Sequence, residues 1–223
     1  EIQRALEVGI KCFNVESISE LKLIQEIAQQ MERHAAIAIR VNPNIDAKTH
    51  PYISTGLSSN KFGIAIDDAL EAYLMANKMP HIECVGIACH IGSQLTELPP
   101  FIEALQAMLQ LVKKLKEHQI HLKHCDLGGG LGVRYQDESP PLPHQYIEKI
   151  RQAWPDNGLE LILEPGRCLM ANTGILLTKV IHLKQQGTKN FAVVDAAMND
   201  LLRPALYQAW HEIIPAQKRA GNP

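Results

Sequence analysis

Apolar residues along this chain fall into two alternating patterns. Short continuous runs at 12–15, 35–41, 84–89, 125–127 and 159–163 carry Val, Ile, Leu, Ala and Cys on successive positions. Strands buried on both faces of a parallel sheet have this character. Between them lie stretches with helical period. Residues 19–30 place Leu21, Leu23, Ile24, Ile27 and Ala28 on one side, with Ser19 as the expected N-cap. Residues 67–77 repeat the pattern with Ala69, Leu70, Tyr73 and Leu74. The clearest stripe is at 100–118: Ile102, Leu105, Met108, Leu109, Val112 and Leu115, with Lys113, Lys114 and Lys116 near the C-terminal end, where the helix dipole favours cations. A further helix is expected at 144–154, ended by Pro155 and the Asn157-Gly158 turn. Residues 1–8 read as a helix running into the first strand.

Strand–helix alternation of this kind predicts an α/β fold with a parallel sheet. Two architectures satisfy it, a (β/α)₈ barrel and an open doubly wound sheet. After residue 172 the pattern changes. Residues 174–183 alternate, 185–190 form a polar turn and 191–194 are apolar again, which is a hairpin signature. If the first part is a barrel, the organisation is α/β, a partial (β/α)₈ TIM barrel followed by the start of an all-β domain. Its parts are 1–171, corresponding to about strands 4–8 of the barrel, and 172–223, the beginning of a β-sandwich or barrel domain. The chain opens on Glu1 rather than Met, so three more strands are expected ahead of it and the rest of the β-domain behind it.

Composition narrows the function classes. The 46% hydrophobic content belongs to a packed protein rather than a disordered one. A net charge of −2 gives no basic footprint for nucleic acid, and no apolar run approaches a membrane span. The five cysteines, 12, 84, 89, 125 and 168, include no CxxC pair. They read as reduced, mostly buried thiols of a cytoplasmic protein, without a metal site.

Candidate chemistry gathers just past the strands, where parallel barrels build their sites. Gly128-Gly129-Gly130 follows the fourth run; it is either a tight turn or a backbone cradle for a ligand such as phosphate. The dinucleotide-binding spacing G-x-G-x-x-G fails, because Val133 stands at its last position. Glu164-Pro165-Gly166-Arg167 sets a carboxylate and a guanidinium at the end of the fifth run, either as an internal salt bridge or as ligand-binding groups. His90 precedes Gly92, and Ser93 and Gln94 add donors at the same strand end. Arg203 and Tyr207, four apart, would share a helix face and offer a carboxylate two donors.

Taken together, His90–Gln94, Asp126–Gly132, Glu164–Arg167 and Met198–Tyr207, with His50–Gly56 and Asn60–Ile64, resemble the fold-type III pyridoxal-phosphate decarboxylases. Within that family they are most similar to the diaminopimelate decarboxylases, over about residues 1–214. The resemblance implies pyridoxal 5'-phosphate as cofactor and conversion of the amino diacid meso-2,6-diaminopimelate to L-lysine and CO₂. It places His90 against the cofactor ring and Ser93, Gly128, Gly129, Gly130, Gly166 and Arg167 around the phosphate, with Pro165 beside them. Glu164 falls at the pyridine nitrogen. Arg167, Arg203 and Tyr207 fall at the distal carboxylate of the substrate. It further implies a homodimer with a shared active site. Two family features have no match in the chain: the lysine that anchors the cofactor, and the late Cys-Glu-x-Gly-Asp motif that supplies a catalytic Cys. Catalytic residues proper are therefore not assigned. The alternatives are a related ornithine or arginine decarboxylase, or a barrel fragment without turnover.

Overall fold

The computed structural model describes residues 1–45, 61–156 and 158–217. Its main sheet is built from β1 (Phe13–Val15), β2 (Ala35–Asn42), β3 (Ile64–Ala65), β4 (Ile82–Ala88), β5 (His124–Asp126) and β6 (Glu160–Ile162), all joined in parallel. The spatial order is β1-β2-β4-β5-β6, and the short β3 pairs with the end of β2. Each long connection carries a helix: α2 (Ile18–Gln30), α3 (Ile66–Ala76), α4 (Pro99–Glu117) and α5 (Pro143–Ala153). α1 (Ile2–Val8) precedes β1, and α6 (Arg167–Met170) follows β6. Neighbouring strands are thus consecutive in the chain apart from β3, which is the order of a barrel wall rather than a doubly wound sheet.

The core lies between this sheet and its helices. β2 is buried along nearly its whole length, and Ile37, Ile39 and Ile87 are completely enclosed. α2 contributes Leu21, Ile24 and Ala28, and α4 contributes Phe101, Leu105, Met108 and Leu115. Phe101 meets Tyr146 of α5 edge-on, with ring centroids 4.8 Å apart. All five cysteines are free; Cys89 and Cys125 are buried in this core and Cys12, Cys84 and Cys168 half-buried. Burial pushes the Cys84 and Cys125 thiols up to about 12, so neither is a thiolate near neutral pH.

Local details differ from the sequence expectations. The N-cap of α2 is Ser17, not Ser19: Ser17 is extended, and its Oγ accepts the Glu20 N–H at 3.2 Å. Ser19 lies inside the first turn and only meets Ser17 Oγ, at 2.9 Å. The Glu20 carboxylate reaches back to the Glu16 N–H at 2.6 Å, and the helix starts two residues earlier than a cap at Ser19 would place it. The second sheet is the antiparallel pair β7 (Val180–Gln186) and β8 (Lys189–Val194). Its turn is only Gly187-Thr188. Gly187 takes φ 59°, so Gln185 and Gln186 join the ladder opposite Asn190 and Lys189 instead of forming the turn. Ladder pairing satisfies their backbone groups, which outweighs their polar character. α7 (Arg203–Tyr207) is a single short helix and the last element in the described residues. His50–Gly56 and Asn60, which carry part of the resemblance, lie outside the described residues, as does Asn157.

Candidate active site

Because the strands run parallel, the segments after β4, β5 and β6 emerge on one side. Backbone hydrogen bonds stitch them into a continuous floor. The Cys89 N–H donates to the Asp126 carbonyl (2.9 Å), Leu127 N–H to Ile162 O (3.1 Å) and Glu164 N–H to Gly128 O (2.8 Å). Further out, Leu95 N–H donates to Gly130 O and Gly132 N–H to Leu95 O, both at 2.9 Å.

This stitching decides between the two readings of the glycines. A Cβ on Gly128 would collide with the carbonyl oxygen of Cys89, one on Gly129 with that of Glu164, and one on Gly130 with that of Gly92. Gly128 and Gly130 also take φ 66° and 114°, where side chains are strained. The loop is therefore glycine-rich because the segments after β4 and β6 close on it. It remains open on its outer side, where the N–H of Gly130 meets no acceptor among the described residues. Gly166 differs: its Cβ would point into open space, so packing within the chain does not require glycine there.

Two polar groups of residues stand on this floor. The first is His90, Asp126 and Glu164. Asp126 is buried, and its Oδ1 accepts the Gly128 N–H at 2.8 Å. His90 is half-buried, and its Nδ1 accepts the Gly129 N–H at 3.2 Å, which requires that nitrogen to be unprotonated. Burial lowers the His90 pKa, and Arg40 lowers it further, consistent with a neutral ring. Glu164 sits at the open edge. Partial desolvation, the Asp126 charge and a side-chain hydrogen bond to Asp126 raise its pKa, and Arg40 opposes them. Arg40 itself is held by Glu16, Nη1 to Oε1 at 2.5 Å, while Glu16 Oε2 accepts the Gly63 N–H at 2.7 Å.

The second group centres on Arg167. Its Nε and Nη2 donate to Ser93 Oγ at 3.2 and 2.8 Å, and its Nη1 donates to the Tyr135 hydroxyl at 2.8 Å. The salt bridge between Glu164 and Arg167 does not form; Arg167 is in no ion pair among the described residues. Arg203 lies with its guanidinium 5.2 Å from the Tyr135 ring centre and 5.9 Å from that of Tyr207, so Arg203 and Tyr207 do share a face. His211 meets Tyr135 edge-on at 5.7 Å.

Every site residue read from the sequence except Pro165 and Gly166 thus enters one of these groups or the glycine floor. Pro165 instead lines a cavity of about 160 Å³ behind the glycines, with Tyr146 and Cys168. Gln94 is not a site donor. Its amide clasps Val133, Nε2 to the carbonyl at 2.6 Å and Oε1 from the N–H at 3.1 Å. Three residues were missed: Asp126 as a bonded partner of Gly128 and Glu164, Tyr135 and His211. A lone aromatic in the polar stretch between the glycines and Pro140 was the available signal for Tyr135; nothing local marks His211.

Known proteins place this arrangement. A family profile described as "Pyridoxal-dependent decarboxylase, pyridoxal binding domain" matches residues 1–171. The chain is 54% identical over 223 residues to a diaminopimelate decarboxylase of Pseudomonas aeruginosa, covering all of this chain and 54% of that protein. It is 55% identical over 218 residues to the Haemophilus influenzae diaminopimelate decarboxylase, covering 96% and 52%. The crystal structure of diaminopimelate decarboxylase from Helicobacter pylori complexed with L-lysine superposes with a TM-score of 0.92 at 47% identity, over 97% of this chain and 55% of that one. The chain spans about half the length of the curated relatives it matches. The chain, a parallel barrel wall closed by a glycine floor, belongs to the pyridoxal-dependent decarboxylase family.

Proposed function

We propose that the protein containing this chain is a pyridoxal-phosphate-dependent carboxy-lyase that converts meso-2,6-diaminopimelate to L-lysine and CO₂. The observation that carries the substrate choice is the Arg167–Tyr135–Arg203 cluster: two guanidiniums stand at one ring, and neither is in an ion pair among the described residues. Such a cluster attracts a distal carboxylate and repels the distal cation of ornithine or arginine.

The floor also suits the cofactor. Gly166 leaves open space where a Cβ would stand, and its N–H and that of Gly130 bond to no group among the described residues. With the Ser93 hydroxyl and Arg167, these are donors for a phosphate, next to Gly128 and Gly129. His90, fixed by Gly129, offers its neutral ring to a planar partner. Glu164 retains its proton to higher pH than an ordinary carboxyl, so it can hand that proton to a ring nitrogen and remain beside it as a carboxylate. Bound there, pyridoxal phosphate supplies an electron sink for the pair left on the α-carbon when CO₂ departs. Arg203 and Tyr207 would grip the far carboxylate and fix which end of the substrate faces the ring. The cofactor-anchoring lysine has no match in this chain, so covalent attachment is assigned to none of its residues. The same reading includes a division into a barrel part, 1–171, and a β-domain part, 172–223, a cytoplasmic protein and a homodimer with a shared site.

The test uses the full-length protein with added pyridoxal phosphate. Meso-diaminopimelate, ornithine and arginine are supplied in turn, and CO₂ and amine products are measured. Release of CO₂ and lysine from diaminopimelate alone is expected. Turnover of ornithine or arginine in its place would overturn the substrate assignment, and absence of any turnover would favour the non-catalytic reading.

A further inference from the structure

We propose that Tyr135 is a positioning residue that aligns Arg167 and Arg203, and through them sets selectivity for a substrate with a distal carboxylate. This rests on the diaminopimelate reading and deepens it.

The loop that carries Tyr135 is unusually well held. Gly132 is hydrogen-bonded to Leu95, and Val133 is clasped on both backbone groups by Gln94. Beyond the tyrosine, the Glu138 carboxylate accepts the N–H of Tyr135 at 3.0 Å and that of Gln136 at 2.8 Å. The ring is thus fixed from both sides and does not depend on the arginines for its place. The dependence runs the other way. Two like charges repel, yet both guanidiniums sit within cation–π range of this ring, Arg167 at 5.8 Å and Arg203 at 5.2 Å. The Tyr135 hydroxyl takes Arg167 Nη1, and Ser93 takes its Nε and Nη2, which leaves Arg167 a single orientation.

The cluster is also short of acceptors. Arg203 Nε and His211 Nε2 are buried with no hydrogen-bond partner among the described residues. A buried donor without an acceptor is unfavourable by more than a formed bond is favourable, so an incoming carboxylate is taken up where it satisfies that donor. Burial, and after it the neighbouring Arg203, lower the His211 pKa, which favours its neutral form beside the two arginines that Tyr135 aligns.

Tyr135→Phe in the full-length holoenzyme separates this role from a merely structural one, because it keeps the ring and removes only the hydroxyl. The expected result is a KM for meso-diaminopimelate raised about tenfold, the scale of a lost hydrogen bond to a charged group. kcat, the cofactor absorbance spectrum and the melting temperature stay near wild type. Inhibition by 1,5-diaminopentane, which lacks the distal carboxylate that both substrate and lysine carry, changes less than about twofold. Tyr135→Leu, which also removes the ring, raises KM further with the same insensitivity to the diamine. If the KM for diaminopimelate and the inhibition constant for 1,5-diaminopentane move together, or neither moves, or kcat falls with KM unchanged, the proposal is overturned. A wild-type enzyme inactive on diaminopimelate overturns the functional reading instead.

Discussion

Glu164 shows how one side chain can trade stability for function. Its carboxyl is raised by partial burial, by the Asp126 charge and by the hydrogen bond between the two carboxyl groups. A raised native value means that the folded chain binds more protons than the unfolded one across that window. The associated stability is present at low pH and is lost as pH rises through the raised value. Glu164→Gln removes the loss. In the cofactor-free full-length protein, scanning calorimetry is expected to show the variant melting above wild type at pH 7 and level with it near pH 4. Turnover of the loaded variant should fall by on the order of a hundredfold, the scale of removing one preorganised electrostatic group. His90 runs opposite in sign: burial first and Arg40 next lower it, so its contribution is lost as pH falls below the ordinary histidine value. Both residues were legible, because a charged or titratable side chain directly after a buried strand has few structural uses. Tyr135 and His211 were not, since their meaning lies in arginines 32 positions from Tyr135 in one case and across the short α7 helix in the other.

At the scale of elements, the pairing of β2 with β4 contains an irregularity that no periodicity reveals. Ile37 pairs with Cys84 but Ala38 pairs with Gly86, so Val85 is an extra residue on β4. A bulge leaves backbone groups without ladder partners. Tyr73 of α3 repairs it: its hydroxyl donates to the Gly86 carbonyl at 2.7 Å and accepts the Ile39 N–H at 3.3 Å, while its ring is completely buried. The sequence placed Tyr73 correctly on the apolar face of its helix, but as a hydrophobe only. Tyr73→Phe is expected to lower unfolding free energy in urea by about 1–3 kcal/mol, because two buried backbone groups lose their partner while the ring still packs. A change below about 0.5 kcal/mol would mean that water or a backbone shift replaces the hydroxyl. Strands β1, β2, β4, β5 and β6 and the helices α2 to α5 agree with the sequence reading to within a few residues, since burial on both faces and a clear apolar stripe are strong local signals, whereas β3 was not foreseen and β7 begins at Val180 rather than 174. The start of α2 and the hairpin turn were displaced, because caps and ladder pairing are decided by hydrogen bonds rather than by polarity.

For the whole molecule, the main sheet is a wall with two outer edges, β1 and β6, that pair with no further strand among the described residues. The β7–β8 pair and its flanks expose Ile175, Leu177, Leu183, Ile213 and Ile214 almost fully. Open parallel edges and apolar surface of this kind favour association. The 223-residue chain expressed alone is therefore expected to sediment as heterogeneous oligomers and to bind a hydrophobic dye. A single monomeric species with a cooperative melt would contradict this. Local pattern alone established the alternating strands and helices, the change to antiparallel structure after residue 172, and the strand-end residues His90, Ser93, Glu164 and Arg167, because burial and strand ends are written in neighbouring residues. Only the tertiary structure decided why the glycines are glycine, that Arg167 turns to Ser93 and Tyr135 rather than Glu164, and that Asp126 joins the glycine loop to Glu164. Those outcomes depend on close approaches between separate strand ends, and distances of that kind exist only once the sheet has brought the ends together.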